Sequence, residues 1–100
     1  MLYLFFFFSC SNYPAGFFNP YSEAAKRNDF DVVLHLGDYI YEYAKDGYAT
    51  ENAEAIKRTL PNDNDSEILT LDDYRKRYAL YRQDKGLKKL HAKYPFIMVW

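Results

Sequence analysis

An α/β architecture is predicted by three features of this 100-residue chain. Short runs of β-branched, aliphatic and aromatic residues recur at Leu2 to Phe8, Asp31 to Leu36 and Phe96 to Trp100. Helix-forming stretches with capping signals separate them. The order strand, helix, strand is that of a βαβ unit, whose strands lie parallel and whose crossover is right-handed.

The first run, LYLFFFF, is continuous and apolar, which fits a strand buried on both faces of a parallel sheet. It lacks the basic start and small terminal residues of a secretion signal, and it is too short to span a bilayer as a helix. The chain is therefore expected to begin inside its fold. Asn19 to Asp29 carries a capping residue, a proline in the first turn and then helix formers, and reads as a short helix. Asp31 to Leu36, DVVLHL, reads as a second buried strand ended by Gly37.

Ala44 to Leu60 reads as a loop with one weak helix around Glu51 to Lys57. Pro61 to Glu67, PNDNDSE, is turn-rich and acidic but lacks the glycine and distant glutamate of an EF-hand, so a solvated loop is expected. Thr70 with Asp73 three residues later predicts a capping box at the start of LDDYRKRYALYRQ. Leu71, Tyr74, Tyr78 and Tyr81 recur at helical spacing and predict a packed face. Asp84 is expected to cap a further helix carrying Leu87, Leu90 and His91. Pro95 stops it before FIMVW, a third strand. A chain ending on Trp100 with that strand barely finished reads as a fragment.

Composition narrows the function. Thirteen Lys and Arg stand against fourteen Asp and Glu, a net charge of -1. That balance gives no footprint for nucleic acid or an anionic membrane. The single cysteine, Cys10, excludes an internal disulfide and leaves one thiol for metal or chemistry. Eleven tyrosines and eight phenylalanines favour a packed state over disorder.

Ligands of open α/β sheets bind beyond the carboxyl ends of the strands. Cys10 follows the first strand and Asp38 the second, so the two can meet. Singly, each has an ordinary reading, an inert thiol and a Gly-Asp turn. Together with the phenol of Tyr41, three residues beyond Asp38, they offer a bridging carboxylate and two electron-donating ligands suited to iron. Phenol ionises near pH ~10, so Tyr41 would ligate only beside a highly charged cation. His35, inside a strand, is more simply a satisfied core residue than a ligand.

The segments FFSCSNYPAGFFNPY, VLHLGDYIYEY, TLDDYRKRYALYRQD and LHAKYPFIMVW, in this order, resemble the alkaline phosphatase D family of PhoD-like metallophosphatases. The resemblance covers most of the chain. It implies a calcineurin-like α/β/β/α sandwich, of which residues 1–100 would be the amino-terminal part of one domain, cut before an Asp-Asp-His-Glu segment. It further implies an Fe3+ and Ca2+ centre hydrolysing phosphate monoesters and diesters. Cys10 matches the thiolate ligand to iron, Asp38 the bridging carboxylate and Tyr41 the phenolate. His35 and Tyr13 match supporting positions. The loop from Tyr43 to Thr70 departs from the family's Arg- and His-containing pattern, of which Arg58 and Glu67 are the only remnants.

With three ligands of a two-metal set, the isolated chain is expected to be inactive. By resemblance the whole protein would be periplasmic or secreted, although no targeting signal is visible. Two other readings stand behind this one. The first is a non-catalytic remnant serving as a small binding or interaction module, and the second a membrane-tethered protein anchored by Met1 to Phe8.

Overall fold

The computed structural model describes residues 2–100. Its elements follow in the order β1 (Phe5–Phe8), α1 (Asn19–Ala25), β2 (Val32–His35), α2 (Leu71–Tyr81), α3 (Lys85–Lys93) and β3 (Phe96–Met98). Short 3₁₀ turns occupy Tyr13–Ala15 and Asn62–Asn64. The three strands form one parallel sheet in the order β1-β2-β3. Phe5 pairs with Val32 and Phe8 with His35, while Val33 pairs with Phe96 and His35 with Met98.

Central position explains the burial of β2, where Val33 is fully buried and His35 nearly so. The expectation that β1 is buried on both faces is corrected. As an edge strand it alternates, with Phe5 and Phe7 exposed. Phe6 stacks on Phe30 at 3.7 Å between ring centroids, and Phe8 meets Tyr21 edge-on at 4.7 Å. Aromatic contacts of this kind add roughly 0.5–1.5 kcal/mol beyond burial. The covered face is the one over which α1 and α3 pack. Gly86 permits that approach, because a Cβ there would lie 2.8 Å from the backbone nitrogen of Ser22.

The weak helix expected at 51–57 is absent. Ile56 N–H bonds the Asn52 carbonyl, but Lys57 then turns left-handed at φ 58 and Arg58 N–H reaches back to Ala53. This is the 6→1 closure that ends a helix, and here it follows a single turn. The capping box of α2 forms as expected, with Asp73 N–H donating to Thr70 Oγ1 and Thr70 N–H to Asp73 Oδ2, each at 3.1 Å. Its packed face follows the expected stripe in part, with Tyr81 in the core and Tyr74 and Tyr78 packed against it. Leu71 is exposed, and Arg77, Leu80 and Tyr81 are buried. Asp84 caps α3 by accepting from Leu87 N–H at 3.0 Å.

Candidate metal centre

Because β1 and β2 run parallel in this register, they end side by side. Pairing continues past the strands, from Leu36 N–H to Phe8, from Cys10 N–H to Gly37 and from Ser11 N–H to Asp38. Both chains then leave the sheet through left-handed backbone. Cys10 has φ 63, Gly37 φ 123 and Asp38 φ 53. Glycine adopts this region freely, whereas a non-glycine residue there costs on the order of 1–3 kcal/mol and concentrates at functional sites.

The turns bring Cys10 Sγ to 3.7 Å from Asp38 Oδ2, and both residues are exposed. Tyr41 closes the group. Burial pushes its hydroxyl well above the usual phenol range, and a hydrogen bond with Cys10 and the charge of Asp38 push it the same way. Tyr41 is therefore a neutral phenol near the Asp38 carboxylate. Among the described residues no cluster of three His, Cys, Asp or Glu side chains forms. The gathered set is one thiol, one carboxylate and one phenol. Beside Asp38 a cleft of about 210 Å³ opens toward Glu42, Tyr78 and Trp100.

Under the Cys10 turn lies a buried polar network that sequence reasoning missed. Tyr21 hydroxyl and His35 Nε2 are 2.8 Å apart, and Ser11 Oγ contacts both. Burial raises Tyr21 to about 12 and lowers His35 below its ordinary value. The neutral imidazole thus joins α1, β2 and the residue that follows Cys10, as a core histidine held on one nitrogen. Ser11 and Tyr21 carry no sequence signal for this role, because partners 10 and 24 residues from Ser11 are joined only by the fold.

Tyr13 is buried beneath the Arg58 guanidinium, which lies 3.6 Å from its ring centroid. Its carbonyl accepts from Arg58 Nε at 2.9 Å. Arg58 itself is 4% exposed and pairs with Asp84 at 2.8 Å. Arg58, a remnant of the family's loop pattern, thus has its charge paired inside the fold. Glu67 stays exposed on the acidic loop. The remaining residue without a forecast role is Arg77, one of four basic residues in YRKRYALYR and the one that α2 buries.

Polar groups gather at the carboxyl ends of the parallel strands of this α/β protein, the edge at which open α/β sheets bind ligands. The chain belongs to the PhoD-like phosphatase family, whose model matches residues 5–100. It is 44% identical over 96 residues to alkaline phosphatase D of Bacillus subtilis (strain 168), covering 96% of this chain and 15% of that protein. A solved structure described as that of PhoD superposes with a TM-score of 0.78 at 42% identity, covering 96% of this chain and 17% of the other. The chain spans a small part of the length of the relatives it matches. Among the described residues no helix is long and apolar enough to cross a membrane. Met1, where the anchor reading begins, lies outside the described residues.

Proposed function

We propose that the protein carrying this chain is a metal-dependent phosphoric ester hydrolase acting on monoesters or diesters, with residues 1–100 forming the amino-terminal part of its catalytic domain. The observation that carries the reading is the 3.7 Å approach of Cys10 Sγ to Asp38 Oδ2, with Tyr41 three residues beyond Asp38 on the same loop. Metal–ligand bonds of roughly 2.0–2.3 Å let two donors at that separation share one cation. Thiolate, carboxylate and phenolate suit iron. Calcium takes six to eight oxygen ligands, and this group offers it one carboxylate, so its other ligands would come from outside residues 1–100.

Bound there, the metals would acidify water and neutralise charge on the phosphoryl oxygens. Asp38 would hold metal through its carboxylate, whose two oxygens are both available as donors. Cys10 and Tyr41 would ligate as thiolate and phenolate, lowering the net charge of the site. Backbone pairing between Cys10 and Gly37 holds the two turns together before any ligand arrives. A periplasmic or secreted location accords with the family reading.

The test is hydrolysis of p-nitrophenyl phosphate and bis(p-nitrophenyl) phosphate by the full-length protein loaded with iron and calcium, beside metal-stripped protein and residues 1–100 alone. Activity confined to the loaded full-length protein supports the reading. Equal turnover by the stripped protein contradicts it. As a standalone module the chain would leave Ile97, Val99 and Trp100 in water, an aggregation liability.

A further inference from the structure

Arg77 on α2 is 1% exposed, yet no carboxylate is among its hydrogen-bond partners. All five of its N–H groups are nonetheless used. Nε donates to Asn64 Oδ1 at 2.8 Å, Nη1 to the carbonyls of Tyr41 at 2.7 Å and Tyr43 at 2.9 Å, and Nη2 to those of Asn64 at 2.8 Å and Ser66 at 3.1 Å. A guanidinium carries five donors in a fixed planar fork, so this arrangement satisfies it completely.

The acceptors lie on two segments outside the helices and strands, except for the 3₁₀ turn at Asn62–Asn64. Direct backbone bonds between the segments are Lys45 N–H to Asp65 and Ile68 N–H to Glu42. Neither involves Tyr41. A methionine of similar volume would avoid burying a cation but would leave these five acceptors without a donor. The distinctive result of the charge is that one rigid group on a capped helix grips the backbone from which Tyr41 projects.

We infer that Arg77 is a positioning residue for Tyr41, fixing the backbone so that the phenol meets Cys10 and Asp38 and completes the ligand group for one cation. This rests on the metal-centre reading proposed above. Groups that orient metal ligands typically contribute 10–100-fold in affinity when removed. Arg77 would act in this way through a carbonyl, without touching metal or substrate.

The experiment compares full-length wild type, Y41F, R77M and R77K by ferric iron titration, with the visible phenolate-to-iron absorption band as the second readout. A purely structural residue changes unfolding without moving that band. Wild type is expected to bind iron with the band present, and Y41F to lose the band. R77M is expected to lose about 10–100-fold in iron affinity with the band shifted or weakened. R77K keeps the charge but offers three donors for five acceptors, and it is expected to fall between them. It is also the variant read if R77M does not fold. Wild-type affinity and an unmoved band in R77K and in folded R77M overturn the role of Arg77 while leaving the metal centre intact. Absence of iron binding or of the band in wild type removes the metal-centre reading, and this inference with it.

Discussion

Cys10 and Asp38, 28 residues apart, face one another with thiol and carboxylate 3.7 Å apart, each on left-handed backbone at φ 63 and φ 53. Non-glycine residues held in that region carry a backbone cost that glycine does not. Cys10→Gly should therefore stabilise the metal-free full-length protein by on the order of 1 kcal/mol in chemical denaturation, while weakening iron retention. A less stable variant would mean that the thiol supports the fold instead.

Arg58 and Asp84 form the buried ion pair of the fold, each side chain 5% exposed. Asp84 also accepts from Phe18 N–H and caps α3 through Leu87. Asp84→Ala should cost about 3–5 kcal/mol, because it strands a buried guanidinium as well as removing a cap. A double-mutant cycle with Arg58→Met should recover part of that loss. Simple additivity of the two substitutions would show that the pair is not coupled.

Thr70 gives an exposed control. Thr70→Ala removes the acceptor for Asp73 N–H and should destabilise by about 1 kcal/mol, with Thr70→Ser close to wild type. A denaturation curve for the alanine variant that overlays wild type would count against the capping box.

His91 makes stability depend on pH. Burial lowers it to about 4 from 6.5, with the charge of Arg82 and then His35 acting the same way. Its Nε2 is 2.7 Å from the Tyr39 hydroxyl, and its ring stacks on Phe96 at 3.8 Å. Since the folded value lies below the unfolded one, the unfolded chain binds a proton between those limits that the native chain refuses. The contribution is complete above pH 6.5 and is lost as pH falls toward 4. His35, also lowered by burial, adds in the same direction. Melting temperatures measured from pH 7 to pH 4.5 should fall less steeply in His91→Gln than in wild type, and parallel curves would refute the assignment.

What the sequence made legible follows from the range of each interaction. Strand order along the chain, the capping box at Thr70, the Asp84 cap and the stop at Pro95 depend on neighbours within a few residues, and all are found. The meeting of Cys10 and Asp38 was also readable, because parallel strands end on one edge. Burial of β1 was misjudged, because a run of phenylalanines does not reveal whether a strand is central or at an edge. Arg58, Arg77 and the Ser11, Tyr21 and His35 network stayed hidden. Their partners lie as far as 45 residues away, and a basic or hydroxyl residue looks the same in sequence whether it faces water or closes a core.

If one thiol, one carboxylate and one phenol bind a single iron ion, X-ray absorption at the iron edge of the full-length protein will detect the thiolate itself. The expected spectrum contains a sulfur neighbour at roughly 2.3 Å that disappears in Cys10→Ser. A wild-type spectrum with only oxygen and nitrogen neighbours, unchanged by that substitution, would contradict it.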